Sequence, residues 1–226
     1  MRKTILIAPF EGALAAALAD RAAAAGWRIA LALARKAAAP GEGAPRASEA
    51  GAQAAPTGAA TLAYDPRSCA SAAALVISAA TALGGDLGAA VIMAGTASAK
   101  ADFPAGKPAD IAQLVDERCA GPLYLAREIV RRFEDKGYGR ILLFAQESPR
   151  DAEAGPAAAL AYGAFEGLGR GLFASSAGGA WSAYGLRDSS GVPDRAARFA
   201  LELLEESRPT KAGRWMRFSG KSGLFG

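Results

Sequence analysis

Histidine is absent from all 226 residues. Metal centres built on imidazole, and serine or cysteine nucleophiles activated by histidine, are therefore excluded. Cysteine is nearly as scarce: Cys69 and Cys119 stand far apart and form no C-x-x-C pattern. That spacing argues against a disulfide framework or a cysteine zinc site and fits a reduced, cytoplasmic setting. Both cysteines read as small apolar residues of packed helices. No apolar run reaches the roughly 18 residues that a membrane-spanning helix requires. The opening MRKTILIAPFEGALAAALA mixes basic and apolar residues, but Pro9 and Glu11 interrupt it, against a leader peptide. Lys and Arg number 26 against 22 Asp and Glu, a formal net charge of +4. They are scattered, without a like-charge block or a basic stripe between aromatics, so nucleic acid is not an expected partner.

What is present is alanine and a repeated alternation of short apolar runs with helical stretches. TILIA (Thr4 to Ala8), an Ala-rich segment from Leu14 to Ala25 stopping at Gly26, and RIALALA (Arg28 to Ala34) make one strand–helix–strand unit. Such a unit implies a parallel sheet with covering helices. Residues 37–60 are low in complexity and predict a loose surface excursion. Leu62 to Asp65, Ala89 to Gly95, Gly139 to Phe144, Trp181 to Leu186 and Gly213 to Gly220 read as further strands. Ser68 to Leu83, Asp110 to Lys136, Pro156 to Ala177 and Pro193 to Ser207 read as helices. The length suits one domain, residues 1–226, with a Rossmann-like, doubly wound parallel sheet.

The chemistry-bearing stretch is Arg140 to Gly171, RILLFAQESPRDAEAGPAAALAYGAFEGLGRG. A strand, a loop carrying Ser148 and a helix carrying Tyr162 resemble the catalytic segment of the short-chain dehydrogenase/reductase family. GRILLF and the Ala94, Gly95 pair after AAVIM resemble two further motifs of that family. The resemblance spans nearly the whole chain by order and spacing, and it implies a dinucleotide loop at Ala8 to Ala15, APFEGALA. There the three family glycines are Pro9, Ala13 and Ala15; Gly12 survives off register and Glu11 adds a negative charge. Glycine gives that loop its tight turn and its close approach to a pyrophosphate, and proline also deletes an N–H donor. By the same resemblance Arg35 and Lys36 stand where basic residues select NADP, and Asp65 where an acid holds adenine. Read by itself, Asp65 after a strand is a helix N-cap.

The resemblance further places the family's catalytic Ser near Ser148, or at Gln146 when counted from the strand. The structural Asn falls on Arg118, and the lysine of Tyr-x-x-x-Lys on Glu166. The lysine would lower the phenol pKa; a carboxylate opposes it. Opposite signs about 5–6 Å away, at an effective dielectric of about 20, differ by up to about 4 pK units. The lid expected between Trp181–Leu186 and Pro193–Ser207 is missing. Four losses together imply that Tyr162, Ser148, Glu166 and Arg118 are vestigial, as are Gly12, Asp65 and Gly95 for cofactor. No cofactor is expected on this chain, and NAD or NADP is assigned to a partner. The implied role is a non-catalytic subunit paired with an active paralogue in a hetero-oligomer, with a homo-oligomer as the alternative. Heteromeric hydroxyacyl-CoA dehydrogenases, such as that of anaerobic toluene (benzylsuccinate) degradation, supply the analogy. The competing readings are a divergent NADP-dependent reductase using Tyr162 and Ser148 with Arg35 on the 2′-phosphate, and a ligand sensor using the old cleft. Gly163, Gly167 and Gly171, four apart on one helix face, mark an interface in the first reading and contact with the chain's own sheet otherwise.

Overall fold

The computed structural model describes residues 3–35, 54–94, 107–147, 155–208 and 210–220. Seven strands form one sheet: β1 (Thr4–Ala8), β2 (Arg28–Ala34), β3 (Ala60–Tyr64), β4 (Ala89–Met93), β5 (Gly139–Gln146), β6 (Trp181–Asp188) and β7 (Trp215–Phe218). Their order is β3-β2-β1-β4-β5-β6-β7 and every adjacent pair is parallel. The order reverses between β1 and β4, the switch point at which sheets of this kind open a crevice at the strands' carboxyl ends.

Among the described residues there are six α-helices: α1 (Gly12–Ala24), α2 (Cys69–Ala82), α3 (Pro108–Val115), α4 (Gly121–Lys136), α5 (Gly155–Ser176) and α6 (Pro193–Glu205). The central strands are buried on both sides, so they read as unbroken apolar runs rather than alternating ones. Ile5 and Ile7 point to α1 and α6, while Leu6 and Ala8 point to the face covered by α2, α4 and α5. The stripe Leu14, Ala15, Leu18, Ala19 and Ala22 buries α1 at helical spacing. Small alanines let α1 and α6 lie close, with Ala196, Ala197 and Ala200 of α6 fully buried.

The single helix expected from Asp110 to Lys136 is a rod with a joint. A π-helical segment, Asp116–Ala120, separates α3 from α4. α4 buries Leu125, Ala126, Ile129 and Phe133, whereas no residue of α3 is buried. Gly121 sits where α4 passes the turn before α2; a Cβ there would lie 2.9 Å from the Pro66 carbonyl oxygen. The connection between β6 and α6 is only residues 189–192, in keeping with the missing lid.

Several bounds differ from expectation. β3 begins at Ala60, inside the low-complexity stretch, of which 37–53 lie outside the described residues. Ser68, not Asp65, caps α2: its hydroxyl accepts from the Ser71 N–H. The cysteines are not packed away, since Cys69 is exposed beside the Arg127 guanidinium and Cys119 is half-buried, its thiol pushed up by burial.

Candidate functional site

The crevice at the β1/β4 switch point is a shallow cleft with about 410 Å³ of open space. Its walls are Pro9, Glu11, Gly12, Ala13 and Leu14 from the turn into α1, with Met93, Ala94 and Gln146 from the ends of β4 and β5. Phe10 turns away from it into the core, and its N–H donates to the Ala32 carbonyl at 2.7 Å. Gly12, the first residue of α1, has φ +76, a left-handed conformation that glycine adopts at little cost. Glu11 stands at the N-cap position and makes no side-chain bond to the first turn. A helix N-terminus attracts anions through its free N–H groups and partial positive charge, and the adjacent carboxylate opposes that attraction. Ala15 is fully buried against the sheet. Pro9 offers no N–H, and Met93 presents a thioether.

The second locus lies where α5 crosses the ends of β5 and β6. Tyr162 is half-buried, and the Glu166 carboxylate stands one turn along the same helix. Its phenol is pushed up to about 12, first by burial and then by Glu166 and Glu147, against a lowering pull from Arg187. Glu166 does not reach for solvent. Its side chain is 19% exposed, ion-pairs with Arg187 of β6 and lies 3.8 Å from Arg170. Arg187 stacks on the Trp215 ring, 5.2 Å from its centroid. Trp215 in turn packs against Phe165 and Phe173. Glu147, just beyond β5, pairs with Arg217 of β7 at 3.0 Å. Arg187 and Trp215 carry no motif in the sequence; only the register of β6 beside β5 and β7 delivers them to Tyr162.

No family model matches the sequence, and no curated protein does. Solved structures match over nearly the whole chain. A short-chain dehydrogenase/reductase from Serratia marcescens is 18% identical, with 96% of each chain covered and a TM-score of 0.73. A 3-ketoacyl-(acyl-carrier-protein) reductase from Brucella melitensis, solved with NADH, is 18% identical at TM-score 0.75, covering 96% of this chain and 97% of that one. A short-chain dehydrogenase from Burkholderia cenocepacia, solved with NADP, is 18% identical at TM-score 0.75, covering 97% and 96%. The fold is that of the short-chain dehydrogenase/reductases.

Within the short-chain dehydrogenase fold, the residues singled out from sequence fall into separate groups. Tyr162 and Glu166 are together, joined by Arg187. Arg118 lies in the π-helical segment, where its charge acts on the buried phenol of Tyr64, with Glu11 and Glu117 opposing it. Burial is the first cause holding that phenol above its ordinary range. Asp65 is taken up by Arg67, whose Nε and Nη2 donate to it at 3.0 and 2.9 Å and whose backbone N–H donates at 3.0 Å. The arginine's hydrogen bonds hold the Asp65 carboxyl below its usual range. Gly95, Lys36 and Ser148 lie outside the described residues. Gly163, Gly167 and Gly171 do not meet the sheet: all three are exposed, and a Cβ on any of them would meet nothing within 4 Å. The tight glycine of α5 is Gly169, where a Cβ would lie 2.6 Å from Trp215.

The fold's dinucleotides, NAD and NADP, do not fit the donor set of the switch-point cleft. A pyrophosphate needs N–H donors and positive charge; in this lining the Glu11 carboxylate stands against the N–H groups of the α1 N-terminus, and Pro9 supplies none. The acid at the end of β3 is already spent on Arg67.

Proposed function

We propose that this chain is a non-catalytic subunit with the short-chain dehydrogenase fold, supporting an active paralogous subunit in a hetero-oligomer. The observation that carries the reading is a carboxylate, Glu166, one helical turn from Tyr162, whose phenol is pushed up to about 12, first by burial. A tyrosine that moves protons at neutral pH needs a neighbour that stabilises its anion, and here burial first, then Glu166 and Glu147, favour the protonated phenol against the pull of Arg187. The switch-point cleft and the short β6–α6 connection point the same way. NAD or NADP then belongs to the active partner, which by analogy is a hydroxyacyl-CoA dehydrogenase of the benzylsuccinate-pathway kind. The outward glycines Gly163, Gly167 and Gly171 are the proposed contact.

Isolation of the tagged chain from its host, with mass spectrometry of what accompanies it, tests this directly. A short-chain dehydrogenase recovered in fixed ratio is expected. Recovery of the chain alone, with NADP-dependent ketone reduction abolished by Tyr162→Phe, would overturn the proposal in favour of a divergent reductase using Tyr162 and Ser148.

A further inference from the structure

Glu166 takes the place of a cation, yet a cation is present. Arg187 enters from β6 rather than from α5, and its position does not depend on Glu166 alone. Its guanidinium lies over Trp215, whose ring is confined between two glycines: a Cβ on Gly169 or on Gly185 would come within 3 Å of it. The Arg187 side chain is 28% exposed and its buried Nε has no acceptor. The Trp215 stack is thus a contact of Arg187 that does not involve Glu166, and the ion pair to Glu166 sets the guanidinium one helical turn from Tyr162. We infer that Arg187 is a cation already delivered to Tyr162 by β6, and that Glu166 is the counter-ion cancelling it. Arg187 is thus a positioning residue for the proton on Tyr162, masked by one carboxylate. This goes beyond the proposed function, because it concerns the titration of one phenol and holds whether or not the chain has a partner.

The other charges around Tyr162 do not duplicate this role. Arg170 is 74% exposed at the outer side of Glu166, and Glu147, which also raises the phenol, is paired with Arg217 and acts less than Glu166. Asp188, next to Arg187, has one carboxylate oxygen bonded to the backbone and hydroxyl of Ser190. On the elements packed against α5, Asp116 and Glu117 act on Arg67, and Glu117 and Arg118 act on Tyr64. Asp110 of α3 is exposed.

The inference separates two substitutions that look equivalent. Glu166→Lys would set a second cation against Arg187 and repel it; Glu166→Gln keeps the shape and uncovers the cation already present. The measurement is a pH titration of the full-length chain labelled with ring-13C tyrosine, the Tyr162 resonance being identified by its loss in Tyr162→Phe. In Glu166→Gln the phenol is expected to titrate about one pH unit or more below the parent, as for an opposite charge within contact range. Adding Arg187→Met is expected to reverse that shift, and Arg187→Lys to retain it. An unmoved titration in Glu166→Gln, or one that Arg187→Met leaves unchanged, would overturn the inference. Where the parent unfolds before its phenol titrates, Glu166→Gln and Glu166→Gln/Arg187→Met are compared with each other, and equal titration overturns it equally.

Discussion

The two faces of α5 use glycine for opposite reasons. On the inner face Gly169 is buried with Phe165, Leu172 and Phe173, and the Trp215 ring fills the space a side chain would need. On the outer face Gly163, Gly167 and Gly171 stand in the open, with Leu160 54% exposed on the turn before them. Glycine in a helix interior costs about 1 kcal/mol relative to alanine. The inner glycine recovers that cost through packing within the chain. The outer three recover nothing from it. Spacing alone therefore does not distinguish a glycine that the fold requires from one whose place a side chain could take without contact.

The largest effect is expected at the inner face. Gly169→Ala should lower stability by about 1–3 kcal/mol, the usual cost of overpacking, measured by urea denaturation. Trp215→Leu on that background should recover part of the loss by vacating the space. If Gly169→Ala is neutral, the contrast between the faces collapses.

The outer face should respond in the reverse direction. Gly167→Ala in the isolated chain should raise stability by up to about 1 kcal/mol, since a methyl group meets nothing and helix propensity improves. Gly167→Leu should leave helical content intact yet weaken the assembly with the proposed partner by about 1–3 kcal/mol at each contact. Light scattering on the mixture reads this as a shift to smaller mass. An unchanged mass would detach the outer glycines from the partner proposal.

Tyr162, on the flank between the faces, reports alkaline stability. Its folded pKa of about 12 lies above the ordinary value for tyrosine. The sign follows: the contribution is complete below about pH 10 and is lost as the pH rises toward the folded value, because the unfolded phenol ionises first. Tyr162→Phe should flatten part of the decline in denaturation midpoint above pH 10. A decline identical to the parent's would place the alkaline sensitivity in Tyr64 and Tyr184, whose phenols burial also raises. The smallest effects are expected from cofactor and repair: calorimetric titration should detect neither NAD nor NADP, and Glu166→Lys alone should give no ketone reductase activity. Micromolar binding or turnover would show that Pro9, Glu11 and Arg187 matter less than their placement implies.

Much of the fold was legible in the sequence for a single physical reason. Strands buried on both sides must be apolar throughout, so TILIA and RIALALA stand out with the bounds of β1 and β2. ATLAY emerges from alanine-rich surroundings without contrast, so the apolar pattern marks β3 only from Leu62 while the strand begins at Ala60. Asp65 and Ser68 are both good caps three residues apart; Arg67 decides between them by engaging Asp65. The site was half legible. The sequence brings Tyr162 and Glu166 together by one helical turn, but Arg187 lies 21 positions beyond Glu166 in a strand, and parallel pairing alone makes it a neighbour. Without it, Glu166 reads as a charge free to turn to solvent. With it, the carboxylate is fixed in an ion pair one helical turn from the phenol. The outward direction of the glycine stripe was equally hidden, since helical spacing defines a face without saying what it faces.

The π-helical joint at Asp116–Ala120 has a consequence for how the molecule opens. The helix on its far side is anchored by Leu125, Ile129 and Phe133, while α3 contributes no buried side chain. A break in the i→i−4 ladder interrupts the cooperativity by which a continuous helix holds its ends. The rod is thus two units of unequal protection. Amide protons of α3 should exchange through local opening at small free energy, while those of α4 should wait for near-global unfolding. One jointed rod is accordingly expected to carry the boundary between the labile and the persistent parts of the domain.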